Sequence, residues 1–415
     1  MRSNRVLTSL IFAAALGACT TAGPGDPAAD ASDSGAVATT EAPVGASDYE
    51  TSLYRQIAQA DGNQLISPFS LKAAFALLYP GARGATADEM TAVFGFTGND
   101  DPAAHEARLA HDLESSGVFN SADAVWIDRQ FTLTPDYTHV VRDGLHAQVE
   151  TLDFRGAAEG SRTHINAWVS AQTNDRIADL LPRGFITPDM QMVLTNSVYF
   201  KADWMQPFAA GATHDAPFHP LAGADQTAQM MHSTRRVRYF EGDGFQAADF
   251  DFKDGRFALT IFLPRERDGL TAFEHDLSGD RLHGWLNQIN GAQESRLDVS
   301  LPKLRLEQRY DLGAPLQAMG VHAAFSNAAD FSGVSTSGRL AVSRVVQNTF
   351  FAMDEVGVEA AAATGVGVVA MAAPMPQAPP IVFNADHPFL LVLRDRTTGT
   401  IAFMGRVTTI PDGGN

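Results

Sequence analysis

The 415 residues contain one cysteine, Cys19, so no disulfide can form within a single chain. Positive charge is scarce too: 30 Lys and Arg face 48 Asp and Glu, for a formal net charge of −18. That balance argues against nucleic acid as a partner, because a phosphate backbone is gripped by neutralising it. The densest basic cluster, Arg235, Arg236 and Arg238, reads as a solvated strand or turn. The chain has no HExxH, no glycine-rich phosphate loop and no CxxC, which removes the common metal, nucleotide and redox signatures. His214 and His219 flank a proline at a spacing that does not suit one helical face. Asp386-His387 has the residue types of a catalytic pair, but no nucleophile turn accompanies it, and a turn-capping histidine fits it better. No cofactor, no metal and no catalytic group are expected, so the chain reads as a non-enzyme.

The N-terminus reads as a targeting segment. Arg2 and Arg5 precede the apolar run LTSLIFAAALGA, the order of a signal peptide. The run ends in Leu16-Gly17-Ala18-Cys19, which resembles the lipobox of bacterial lipoprotein precursors and implies lipidation of Cys19; plain secretion is the alternative. Residues 20–47 have no aromatic residue and consist mostly of Ala, Gly, Pro, Ser, Thr and Asp, too little to bury for folding. The expected organisation is a signal peptide over 1–18, a flexible tether over 19–47 and one folded domain over 48–415. The protein is then exported. It is held in the periplasm, the outer membrane or the cell surface by its lipid alone, or released outside the cell.

Within the domain, helix and strand patterns mix without a strict βα period, which predicts an α+β fold. Ser67-Pro68-Phe69-Ser70 reads as a cap, and LKAAFALLY continues it as a buried helix. His164–Leu181 reads as an amphipathic helix. MVLTNSVYF, ALTIFLP and RLDVSLPKLRLEQRY read as strands, the first of them central. LLVLRD and TIAFMGRV flank a turn with Gly399, the pattern of a hairpin.

The segment DEVGVEAAAATGVGVVAMAAP (354–374) is apolar, nearly uncharged and built of small residues. Read as an extended chain, Val358, Ala360, Ala362, Thr364, Val366 and Val368 share one face. Such a chain suits the middle of a sheet, yet its Gly and Ala make a poor strand by themselves. A segment that serves both as a loop and as an inserted strand is a conformational switch. Glu359 and two glycines speak against a membrane span, and Gly365 and Gly367 would break a helix.

Six motifs in order resemble the serpins over residues 48–410: NQLISPFSLKAAFALLYPGARGATADEM, INAWVSAQTNDRIADLLP, VLTNSVYFKADW, SLPKLRLEQRYDL, DEVGVEAAAAT and ADHPFLLVLRDRTTGTIAFMGRV. The resemblance implies an α+β serpin fold of three β-sheets and about nine helices with an exposed reactive loop. It implies a suicide inhibitor of serine proteases: the target cleaves the loop, forms an acyl-enzyme, and is trapped as the loop inserts into the central sheet. The hinge falls on Glu355, Gly357, Val358, Glu359, Ala360, Ala361, Ala362, Ala363 and Thr364. The reactive bond falls on Met371–Ala372, and a slip of a residue or two stays open. No Lys or Arg occurs between Glu355 and Pro388, so the expected partner is a protease of apolar specificity, elastase-, chymotrypsin- or subtilisin-like, met by a monomer. The shutter beneath the opening sheet matches Ser67, Ser70, Asn196 and Gln347, and the breach where insertion begins matches Trp204. Gln347 stands where the family usually has histidine; Gln does not titrate, so it supplies no pH response. A non-inhibitory serpin, acting in binding or structure, and an inhibitor of cysteine proteases are the alternatives.

Overall fold

The computed structural model describes residues 48–96, 101–145, 147–358 and 378–411. Its frame is set by strand Met192–Phe200. Every residue of MVLTNSVYF is buried, as a β-rich run covered on both faces demands. Phe119–Asp128 pairs with it antiparallel on one side and Val342–Met353 pairs with it parallel on the other. Gln148–Leu152 lies outside Phe119–Asp128, and Leu304–Asp311 lies outside Val342–Met353. Two short strands, Gly357–Val358 and Ala202–Asp203, close the end of this seven-stranded sheet.

A second network of nine strands has Phe257–Pro264 and Phe389–Asp395 near its centre. The seventeen-residue strand Gln226–Gly242 joins what would otherwise be two sheets. Its start pairs with His214–Phe218, its middle with Glu294–Pro302 and its end with Phe245–Asp251. Among the described residues the three sheets of the expected fold therefore show as two hydrogen-bonded networks. Nine α-helices occur among the described residues.

Helix Pro68–Leu78 lies between the networks, touching Phe119–Asp128 and Met192–Phe200 of one and Ile401–Val407 of the other. Ser67 starts it, its hydroxyl accepting from the Ser70 N–H, and Pro68 takes the first turn, where no N–H is needed. All of its residues but Lys72 are buried, so its all-round apolar sequence is used on every side. The helix expected over His164–Leu181 is instead Ala158–Gln172. It ends because Asn174 and Asp175 take left-handed backbone (φ 50° and 61°), which the short polar side chains of Asn and Asp tolerate. RLDVSLPKLRLEQRY divides into Glu294–Pro302 and Leu304–Asp311. Phe389–Asp395 and Ile401–Val407 pair antiparallel across a turn with Gly399 at φ 79°.

Candidate functional site

The site forms where the parallel pair Met192–Phe200 and Val342–Met353 meets the end of the helix cap. Asn196 and Gln347 are register partners across this seam, and their side chains point to the same face. Gln347 Nε2 donates to Asn196 Oδ1 at 2.6 Å and to the Ser67 carbonyl at 2.9 Å. Gln347 Oε1 accepts from the Ser67 N–H at 3.0 Å. Asn196 Nδ2 donates to Ser70 Oγ and to Asp123 Oδ1. Ser67, Ser70, Asn196 and Gln347 are fully buried; the structure brings these four expected residues into one network that spans the seam and reaches the helix below.

Asp123 and Ser121 belong to the same network, and the sequence reading missed both. Ser121 Oγ donates to Asp123 Oδ2 at 2.7 Å and lies 3.0 Å from Ser70 Oγ. Burial pushes the Asp123 carboxyl up to about 7, against the pull of its hydrogen bonds from Ser121 and Asn196. Within NSADAVWID an Asp looks like the solvent side of an alternating strand. No local signal marks it, because only the register of two strands far apart in the chain sets it beside Asn196.

The hinge begins at the far end of the seam. After Met353 the chain reverses: Asp354 Oδ1 accepts from the N–H groups of Val356 (2.8 Å) and Gly357 (3.1 Å), and Asp354 N–H donates to the Gly357 carbonyl (2.9 Å). A Cβ on Gly357 would stand 2.0 Å from the Ala202 carbonyl oxygen, so only glycine fits here. Val358, fully buried, then pairs antiparallel with Met353 on one side and Ala202 on the other. The chain past the turn thus starts between the ends of the two parallel strands.

Trp204 holds this turn from beneath. Its backbone N–H donates to the Val356 carbonyl (2.8 Å) and its Nε1 to the Asp354 carbonyl (2.9 Å), while its ring stacks on Phe252 with centroids 4.6 Å apart. The Phe208 N–H takes the Glu355 carbonyl at 2.8 Å. The Glu355 carboxylate accepts from Thr213 Oγ1 at 2.8 Å and pairs with Lys303 Nζ at 3.1 Å. Burial alone would raise its pKa; the Thr213 and Lys303 contacts outweigh burial and hold it below the usual range.

His387 sits apart from this site. Its Nδ1 meets Asp386 Oδ1 and its Nε2 meets the Pro264 carbonyl, both at 2.7 Å, so the ring ties a turn to a strand end. His214 and His219 contact the Ala212 carbonyl and Asp225. Cys19, Glu359, Ala360, Ala361, Ala362, Ala363, Thr364, Met371 and Ala372 lie outside the described residues.

The profile of the family described as Serpin (serine protease inhibitor) matches residues 45–410. An uncharacterised serpin-like protein of Thermococcus kodakarensis is 37% identical over 87% of this chain and 84% of its own. The leukocyte elastase inhibitor of Homo sapiens is 31% identical over 84% of this chain and 93% of its own. The crystal structure of Serpin48, a highly specific serpin of the insect Tenebrio molitor, superimposes with a TM-score of 0.78 at 28% identity, covering 88% of this chain and 97% of that one. The chain belongs to the serpins, a family of protease inhibitors rather than catalysts.

Proposed function

We propose that the protein inhibits serine proteases as a suicide substrate, by inserting its cleaved loop between Met192–Phe200 and Val342–Met353. The observation that carries this reading is the position of Val358, antiparallel at once to the end of Val342–Met353 and to Ala202, just past the end of Met192–Phe200. Continuing that register would bring Ala360 between Phe351 and Phe200, Ala362 between Thr349 and Val198, and Thr364 between Gln347 and Asn196. The two registers agree with the parallel one already present, in which Gln347 faces Asn196. Insertion would replace one parallel pair by two antiparallel pairs, the more stable arrangement per residue.

Hydrogen bonds gained at about 0.5–1.5 kcal/mol per residue roughly offset backbone ordering at about 1–2 kcal/mol per residue. The net drive therefore comes from burial and from strain in the closed seam. The closed seam also buries polar groups at Ser197 and Asn348, register partners across it. Among the described residues Ser197 Oγ and Asn348 Oδ1 find no hydrogen-bond partner. Orphaned groups of this kind cost about 1–3 kcal/mol each.

The bait bond in this reading is Met371–Ala372, and the target is a protease with an apolar specificity pocket. The elastase inhibitor among the relatives supports that class. Residues 1–18 would direct export, lipid on Cys19 would anchor the chain, and residues 19–47 would tether a monomeric inhibitor. Mixing the protein with elastase or subtilisin and running denaturing gels tests the mechanism. A detergent-stable complex of summed mass is expected; cleavage without any complex, across several apolar-specific proteases, would overturn it.

A further inference from the structure

The network beneath the seam contains a titratable group that loop insertion does not itself require. Asp123, Asn196 and Gln347 follow one another across three neighbouring strands as register partners. Their side chains form one line of hydrogen bonds, Gln347 Nε2 to Asn196 Oδ1 and Asn196 Nδ2 to Asp123 Oδ1. The line crosses the seam at right angles to the direction in which a new strand would enter.

The protons of this network fit one arrangement. Asn196 gives its two amide protons to Ser70 and Asp123. Ser121 passes its proton to Asp123 Oδ2, which leaves Ser121 Oγ free to accept the single proton of Ser70. Every donor is used, and the ionised carboxylate accepts at both oxygens with no proton of its own to place. None of the groups bonded to it is a cation. A proton on Asp123 is one donor too many. Placed on Oδ2 it competes with Ser121 for that oxygen, and turning Ser121 round to accept it sends the Ser70 proton against the Asn196 amide.

The surroundings favour that proton and give it a way in. Asp123 lines a cavity of about 570 Å³ open to solvent. Helix Pro102–Glu114 brings Glu114, His111 and Arg108 to the same cavity, and Glu114 adds negative charge that raises Asp123 further. Burial also raises Glu114 itself, with His111 pulling the other way. The other elements packed here face Asp123 with neutral groups: Ser70 from helix Pro68–Leu78 and Asn196 from strand Met192–Phe200. Gln148, from the strand beyond, is on the cavity wall. Lys72 of the helix is taken up by Glu106 at 2.9 Å.

We propose that Asp123 couples opening of the sheet to proton uptake, so that the seam between Asn196 and Gln347 loosens as the surroundings acidify. The ionised carboxylate polarises the Asn196 amide and so strengthens its carbonyl as an acceptor for Gln347, since linked hydrogen bonds reinforce one another. Breaking the Gln347 bond weakens the hold of Asn196 on the charge and favours the acid form. By reciprocity, a proton on Asp123 weakens the seam. The titration that Gln347 does not supply is supplied by Asp123, one strand further on. The consequence, an inhibitor primed by acid, rests on the insertion reading; the test does not.

Hydrogen exchange on the full-length protein, corrected for intrinsic rates, reads the seam directly. Protection of the amides in 342–350 and 192–199 should fall by about threefold to tenfold per pH unit as pH drops through the Asp123 titration, the most that one coupled proton allows being tenfold. Protection in Phe257–Pro264 should not follow. Asp123→Asn should abolish the pH response, and Glu114→Gln should leave it in place. Infrared difference spectra of the unsubstituted protein should show a carboxylic-acid band growing over the same range. Flat seam protection, an equal response in Asp123→Asn, or a response lost only in Glu114→Gln would each overturn the proposal. Failure of insertion would show separately, as absence of a protease complex with the seam response intact.

Discussion

Two strand pairs lie at the centres of the two networks, both largely buried, and they are built in opposite ways. Phe257–Pro264 and Phe389–Asp395 are antiparallel and mostly apolar. Their few polar groups are fully engaged: Arg394 donates to Asp249 (2.6 Å), Thr260 (3.0 Å) and Asn290 (2.9 Å), and Thr260 donates to Asp249 (2.6 Å). Met192–Phe200 and Val342–Met353 are parallel, and they bury Thr195, Asn196, Ser197, Gln347, Asn348 and Thr349 along their common line. Two of those six carry orphaned atoms. A sheet centre that stays shut is held by apolar packing and closed polar networks. In the insertion reading, a sheet centre that is to open is held by side-chain hydrogen bonds, which a new strand could exchange for its own.

Substitution in each pair should expose this difference, and the largest effect belongs to the permanent one. Arg394→Met leaves the Asp249 carboxylate buried without its partner and should destabilise the protein by about 3–5 kcal/mol in denaturant titrations. A loss below that of a surface substitution would end the contrast. Next comes the hinge. Gly357→Ala drives a methyl into the Ala202 carbonyl and should cost about 1–3 kcal/mol. It should also turn the inhibitor into a substrate, seen as cleavage without complex; unchanged complex yield would separate the wedge from the mechanism.

Much of this contrast is legible in the sequence, and what is not has a common cause. MVLTNSVYF and ALTIFLP announce two buried strands by their β-rich apolar runs, and Ser67-Pro68 announces the helix between the networks. These signals are local. That Ser67, Ser70, Asn196 and Gln347 meet could be named only through the resemblance to serpins, because their partners lie far apart in the chain. Asp123 shows the limit: its bond to Asn196 spans 73 residues, and nothing in its own strand marks it as inward. The misplaced end of helix Ala158–Gln172 is the opposite case, a local stop at Asn174 and Asp175 hidden by continuing amphipathic spacing.

Smaller effects belong to the seam and its hinge. Ser197→Ala removes an orphaned hydroxyl and should stabilise the closed protein by a few tenths to about 1 kcal/mol, while slowing complex formation. A loss of stability would show that the hydroxyl is bonded in solution. The smallest effect concerns acid. The Glu355 carboxylate has a depressed pKa, so its stabilisation is present above the ordinary carboxylate range and is lost as pH falls through the folded value. Glu355→Gln should flatten the acid limb of the unfolding free energy against pH by less than about 1 kcal/mol. An unaltered limb would assign that acid sensitivity to other carboxylates.

The central claim is that the polar seam is closed only until the chain beyond Val358 enters it. Nicking the protein within residues 359–377 with a protease that it does not trap, then comparing melting temperatures, tests this directly. Entry of the freed strand should raise Tm sharply above that of the intact protein. A cleaved protein that melts with the intact one would mean that the seam does not admit the loop, and that this serpin acts by some means other than insertion.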